Sequence, residues 1–448
     1  MQKTLLTIIG LLITSSLMSQ SILDRYIDEG IKNNISLKQA SLTFEASLES
    51  LNEAKGGMLP KIDFSSRYTK AIGGRSFEFP VGDLMNPVYS SLNQIIGEEQ
   101  FPKIDNLRLN FNRTTDIDSK LTLTQPLFDK RISHQKNIAE DQAKISQVDV
   151  SIQKRLLISQ IKKAYFNYLK SVKLVELFDS TSRLVEENLR VSEVLYQNDK
   201  VTLDVTLRAK TEIGKVNLQK AEAEKMQNNA RAYFNFLLNR PLESDIQTEE
   251  TVGDPTLPSS LPQSAKNREE FSKINFGLKA NESERRLYES NNLPNIYAIA
   301  NYGFQGTQYE FNNNSDYALA SLVLSWNLFS GFQNKARKQQ SIIQNQILQS
   351  KEEELNNSIQ LETIQAFYDL KEKSQKYIST QKMVDEAKST YNLINRKYQE
   401  GISSQLELID ARTNLTNTTI QNINSKYDIR ISYAEYERVT AAYPVRNL

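Results

Sequence analysis

Cysteine is absent from this chain of 448 residues. That absence excludes a disulfide framework, a thiolate metal site and a lipid-bearing cysteine behind a cleaved leader. Histidine is almost absent: His134 stands alone, so no histidine pair can hold a metal and a Cys-His nucleophile is impossible. We read it as an ordinary side chain near the start of a long helix. Gly73 and Gly74 lack the spacing and the strand-to-helix setting of a phosphate loop. Acidic pairs are plentiful, but on exposed helices they make solvated faces. The chain thus offers no catalytic constellation, no cofactor site and no metal site, and reads as a non-enzyme. An excess of charge is missing too: Lys and Arg number 55 against 54 Asp and Glu, a net charge of +1. Nothing in that balance recruits nucleic acid. Long apolar runs are also lacking beyond the first residues, where none reaches the ~18 that suggest a membrane-spanning helix. With a mean hydropathy of -0.52, only strands remain available for lipid.

What is present begins with a leader. Met1, Gln2 and Lys3 precede an apolar stretch through Ile13, then Ser15, Ser16 and Ser19. One positive charge, a short apolar core and a small-residue exit form a secretory signal peptide over residues 1–20, cut near Ser19 or Gln20. The stretch is too short to serve as a permanent anchor.

The mature chain is a duplication at an offset of roughly 200 residues, far beyond the 20–50 residue periods of solenoids. Phe128 answers to Phe329, Ala164 to Ala366 and Tyr196 to Tyr398. Likewise Ala209, Lys210 and Thr211 answer to Ala411, Arg412 and Thr413. Residues 21–238 form the first repeat, 239–266 a connector interrupted by Pro241, Pro255, Pro258 and Pro262, and 267–448 the second repeat. Each repeat orders a helix, a strand pair, a very long helix, a short turn and a returning helix. The leading helices stop at Gly56, Gly57 and at Asn291, Asn292, residues tolerant of left-handed backbone, each followed by a Leu-Pro pair.

The strands alternate in character. In residues 61–70, Ile62, Phe64, Ser66 and Tyr68 share one face, and Asp63, Ser65, Arg67 and Thr69 the other. Leu107, Leu109 and Phe111 alternate with polar neighbours, as do Leu121 and Leu123. In the second repeat Ala318, Ala320, Leu322, Leu324 and Trp326 oppose Leu319, Ser321, Val323 and Ser325. Such segments fit either a membrane barrel or a half-buried soluble sheet. Residues 312–314, all asparagine, mark a loop tip.

The long helices predict a reach unlike that of a compact domain. From 130 to 197 there is neither proline nor glycine, and Ile161, Tyr165, Tyr168, Val172 and Val175 recur at coiled-coil spacing. Residues 332–399 carry a matching seam of Val384, Ala387, Tyr391, Ile394 and Tyr398. At 1.5 Å per residue each would extend on the order of 100 Å. Polar turns at Asn198, Asp199, Lys200 and at Glu400, Gly401 reverse the chain into antiparallel returning helices over about 203–238 and 405–439. The first repeat also holds an excess of roughly 33 residues within 72–116, either a surface loop or a cap folded over a barrel mouth.

Taken together, these residues carry a resemblance. A leading helix with Asn34, Leu37, Ala40 and Ala54, the Leu59-Pro60 approach to the strand, the strand exit from Gln125 to Phe128, and the matching elements of the second repeat resemble TolC-type outer-membrane efflux ducts over essentially the whole mature chain. The resemblance implies a mainly α protein with β, built as a homotrimer. Each chain would give four strands to a 12-stranded barrel in outer-membrane lipid, continued through the periplasm by a helical tunnel. The residues themselves go part of the way: four strands cannot close alone, and an open edge is not tolerated in lipid. The resemblance further implies a periplasmic adaptor and an inner-membrane pump as partners, and a carboxylate ring at the periplasmic entrance. Glu407 and Asp410, three apart on one helix face, match that ring. Tyr398 and Asp204 match positions that latch neighbouring helices when the tip is closed. The arginine expected with them is Ser403 here, so the latch must be held differently. An exported soluble coiled-coil scaffold or binding protein is the rival reading.

Overall fold

The computed structural model describes residues 21–249, 255–262, 267–309 and 315–442. The predicted leader and the triplet at 312–314 lie outside these residues. The second repeat follows the expected order, and the first follows it with a divided leading helix and a structured insert: α1 (Ile22–Asn33), α2 (Ile35–Gly56), β1 (Lys61–Lys70), β2 (Ser76–Phe79), α3 (Val81–Ile96), β3 (Leu107–Asn110), β4 (Thr115–Phe128), α4 (Lys130–Gln197), α5 (Leu203–Leu237), α6 (Glu269–Ser290), β5 (Asn295–Gly306), β6 (Asp316–Ser325), α7 (Gln333–Gln399) and α8 (Gln405–Thr440). Two compact units cut across the duplication. Of the described residues, one unit holds those within 21–48, 141–279 and 344–442; the other holds those within 49–140 and 280–343. Each repeat contributes to both.

The first unit is helical and has a core of its own. Tyr26 and Ile27 of α1, Ile161 and Tyr165 of α4, and Phe234, Leu237 and Leu238 at the end of α5 form one buried cluster. Ring pairs knit it, including an edge-on contact of Tyr26 with Phe234 at 5.0 Å. Such pairs add roughly 0.5–1.5 kcal/mol to the burial of their area. Gly30 lets α1 lie close against this core, since a Cβ there would stand 2.3 Å from Ile161 Cδ1 and force that side chain to shift. The leading helix of the first repeat is two helices rather than one. It breaks at Asn34, whose Oδ1 accepts from the Leu37 amide at 3.0 Å while its Nδ2 donates to the Leu237 carbonyl at 2.8 Å. A side chain that caps one helix start and pins another helix's end fixes the bend.

Helix ends repeat the duplication down to the backbone. Asp199 and Gly401 take left-handed backbone at φ 54° and 76°. The amides of Lys200 and Ile402 reach back five residues to the carbonyls of Leu195 and Lys397 at 2.9 and 2.8 Å. The returning helices end likewise: Asn239 and Ala441 lie at φ 55° and 53°, with Arg240 bonded to Asn235 and Ala442 to Glu437. Both are the bonds of a Schellman stop, which satisfies carbonyls that the helix leaves open.

The second unit is built on an antiparallel sheet in the order β1-β4-β5-β6. Phe64, Leu121, Tyr302 and Ala318 form one cross-strand row, and Ile62, Leu123, Ala300 and Ala320 the next. Both rows lie on one face and remain open, Phe64 being 70% exposed and Leu322 on the same face 71%. The opposite face carries Asp63, Thr122 and Asn301, with Thr122 Oγ1 donating to Asn301 Oδ1 at 2.7 Å. On that face Asp118 gathers Lys120 at 3.3 Å, Arg67 at 3.6 Å and the Tyr317 hydroxyl at 3.1 Å. Pro126 falls where the β4–β5 register shifts, a place where a missing amide is tolerated.

The insert at 72–116 is structured. β2 and β3 pair with each other in a separate two-stranded sheet, which corrects the placing of Leu107 and Leu109 among the main strands; Phe111 lies past the end of β3. Between them runs α3, ended by Gly97 at φ 80°. Trp326 also falls outside its expected strand, its indole N–H donating instead to the Asn292 carbonyl at 2.9 Å.

Candidate functional site

The hairpin turns of the helical unit place every residue expected at the gate. Ser404 caps α8: its hydroxyl accepts from the Glu407 amide at 3.3 Å, while the Glu407 carboxylate accepts from the Ser404 amide at 2.8 Å. This reciprocal pair is a capping box, and it occupies one oxygen of a residue expected to line a pore. Asp410, one turn further along α8, is exposed, as Glu407 is. Glu407 lies in the first turn of the helix, where its dipole favours negative charge.

Asp204 stands in the first turn of α5, at the position equivalent to Leu406. It accepts from the Thr202 hydroxyl and pairs with Arg208 one turn on, at 3.6 Å. Both Arg208 and Asp204 are more than half exposed, so the pair contributes little. Tyr398 is not among the partners of Asp204. It is half-buried near the end of α7, beside Leu408, Gln405 and Arg412, and burial pushes its hydroxyl pKa above the ordinary value. Ser403 takes no cation's part; its amide bonds the Lys397 carbonyl at 3.2 Å. The turn residues Asn198, Asp199, Lys200, Glu400 and Gly401 are all exposed.

The pairing that sequence reasoning missed lies one helical turn or so deeper. The Arg412 guanidinium donates to Glu212, and the two side chains are only 7% and 12% exposed. Lys215 joins at 2.8 Å. Burial raises the Glu212 pKa, but hydrogen bonds from Lys215 and Arg412 outweigh it, and the carboxyl sits below its usual range. Nearer the turns, Gln405 Nε2 donates to the Val205 carbonyl at 2.9 Å. The starts of α5 and α8, one from each repeat, are therefore stitched together twice. A signal for this was in view: Arg412 occupies the middle of the repeated Ala411 to Thr413 landmark, where the first repeat has Lys210, which pairs with Glu193 at 3.2 Å.

Further along the same unit, ion pairs hold the ends of several helices. Arg268 reaches Glu270 and Glu362, and Arg438 reaches Glu435 and Glu362. The Glu435 carboxyl, raised by burial but lowered more by its bonds with Arg438 and Lys163, is held at about 2. No group of His, Asp and Glu that could hold a metal occurs among the described residues. Nor is any helix among them long and apolar enough to cross a membrane.

The family model described as "Outer membrane efflux protein" matches residues 26–240 and 261–441. Among solved structures, the Campylobacter jejuni CmeC outer membrane channel superposes with a TM-score of 0.78 at 16% identity, covering 94% of this chain and 86% of that one. The Vibrio cholerae outer membrane protein VceC gives 0.74 at 12% identity, with 93% and 95% covered. The open state of the Neisseria gonorrhoeae MtrE outer membrane channel gives 0.73 at 16%, with 93% and 88% covered. At these identities the likeness is one of fold. No curated protein sequence matches the chain.

Proposed function

The chain belongs to the outer membrane efflux protein family, and from that premise we propose that it is the passive exit duct of a tripartite efflux or secretion system, acting as a homotrimer. The observation that carries the proposal is the unfinished sheet. β1 and β6, ten residues each, are its two edges. One face is apolar and open, while the other carries the Asp118 and Thr122 clusters. In lipid such edges must be paired, so further copies close the sheet into a barrel with the apolar face outward. Three copies give twelve strands, in keeping with the family likeness. Cargo and energy come from a periplasmic adaptor and an inner-membrane pump docking at the hairpin turns.

At those turns Glu407 and Asp410, once from each copy, supply a ring of carboxylates at the entrance that favours cations. The latch lacks an arginine at Ser403, and Arg412 with Glu212 is a buried ion pair available at the same end to hold α5 and α8 together. Tyr398 and Asp204 flank it, at the end of α7 and in the first turn of α5.

A reconstituted duct fractionates with the outer membrane, requires detergent and conducts ions in planar bilayers. A soluble periplasmic monomer would establish the scaffold reading instead. The gate is tested by Glu407→Gln combined with Asp410→Asn. Glutamine keeps the capping-box acceptor while removing the charge, so a fall in cation preference reports the ring and not a frayed helix. Unchanged selectivity would remove the ring.

A further inference from the structure

The insert found only in the first repeat turns its helix the wrong way out for a free-standing element. Asn86 of α3 donates to the Ile104 carbonyl and accepts from the Ile104 amide, both at 2.9 Å. One heptad on, Asn93 makes the same two-point contact with Phe101 at 2.8 and 2.9 Å. Asp83 and Asn106 close the other end, and Tyr89 stacks on Phe101 at 5.5 Å. The polar side of α3 is thus zipped to residues 101–106, and the apolar side is left open. Met85, Val88, Leu92 and Ile95 recur at steps of three, four and three, and all are exposed, Ile95 to 80%. Leu84 and Ile96 flank them, also exposed. The β2–β3 hairpin adds Phe77 opposite Leu109 and Phe79 opposite Leu107, on one open face.

We infer that the exposed seam of α3 is a contact between copies of this chain, gathering one helix from each copy into a cap over the outer mouth of the barrel. The inference rests on the closed multi-copy barrel proposed above. Three observations select this occupant. The spacing is that of a coiled-coil seam, with Met85 and Leu92 at a and Val88 and Ile95 at d. β-Branched residues at d with unbranched ones at a favour three or four helices over two. Second, α3 carries no lysine or arginine and only Asp83 as a charge, with Glu98 and Glu99 beyond its end. A helix lying on an anionic lipid surface carries basic residues on its polar side. Third, the insert springs from the end of the β1–β4 pair, where the Ala71 amide bonds the Thr114 carbonyl at 3.0 Å, and goes on as its own β2–β3 pair, which the Phe111 amide lengthens by bonding the Arg75 carbonyl at 2.9 Å. One of the two strands it joins, β1, is an edge of the sheet, which in the proposed barrel pairs with another copy. Rotation about a barrel axis gives every copy of α3 the same tilt and sense along that axis, which a parallel a and d seam requires.

The absence of cysteine makes the test direct. In the full-length, detergent-solubilised protein, Val88→Cys or Ile95→Cys should form a disulfide between copies under mild oxidation. Gln94→Cys, off the seam, should not. Leu92→Glu should leave the oligomer intact and raise single-channel conductance about twofold or more, as a constriction is removed. An intact oligomer with no cross-link at either seam position overturns the cap while leaving the barrel standing. A monomer in detergent overturns the barrel reading, and the cap with it.

Discussion

The two units of this chain treat apolar surface in opposite ways. The helical unit buries Tyr165, Phe234 and Ile161 completely within one chain. The sheet unit leaves Phe64, Leu322, Leu324 and the α3 seam open. Isolated exposed apolar residues need no explanation, but contiguous rows on one face mark a surface awaiting lipid or another copy. The lesson is that one sequence can finish its core in one region and delegate it in another.

The sharpest way to break this contrast is in the finished core. Phe234→Ala removes a fully buried ring that touches Tyr26 and Tyr165 and should cost roughly 3–5 kcal/mol. In thermal denaturation of the solubilised protein it should far exceed Phe64→Ala, which empties no space within the chain. Equal losses would show that the sheet face is buried already without lipid. On the unfinished face the informative change is polarity, not size. Leu322→Arg places a cation on the proposed lipid side and should cost roughly 2–4 kcal/mol if it sits near the bilayer midplane. Folding into vesicles measures this, and tolerance of the arginine would argue that the face meets water.

The third test concerns the stitch between the repeats. Glu212→Ala leaves Arg412 buried without its carboxylate and should cost about 3 kcal/mol, read as earlier unfolding or as a more open channel. The pair also has a pH signature. Because the Glu212 pKa is depressed on folding, its contribution is fully present above the ordinary value of 4.5 and is lost as pH falls through the lower folded value. Acid should therefore raise channel opening in the parent chain. Glu212→Ala should abolish that part of the response.

How much of this was readable beforehand divides along the same line. The helices α4 and α7 were legible almost to the residue, because nothing in them breaks a helix and their seams repeat. The turns were legible from Gly401 and from the polarity of residues 198–200. The break at Asn34 was not, because it depends on a carbonyl at Leu237 that is distant in the chain. α3 was hidden behind Pro87 and its asparagines, which read as loop chemistry. Its asparagines in fact bond the backbone of residues 101 and 104, a fact of tertiary structure. At the gate, Glu407, Asp410, Asp204 and Tyr398 could be singled out only through the family resemblance, since the first repeat has Val205 and Arg208 where the second has Glu407 and Asp410. The partner of Arg412 could not, since an ion pair between residues so far apart leaves no local pattern.

The smallest expected effect bears on Glu407, which belongs to both kinds of chemistry. Its carboxylate finishes a helix within the chain, through Ser404, and is also exposed, as the proposed ring requires. Ser404→Ala removes the cap hydroxyl and should cost about 1 kcal/mol, visible as faster amide exchange over the first turn of α8. It leaves the charge in place, so cation preference should persist while the turn loosens. Glu407→Gln should do the reverse, retaining the turn and lowering selectivity. If instead both variants shift selectivity alike, the carboxylate acts by holding the turn, and the charge ring at this position is refuted.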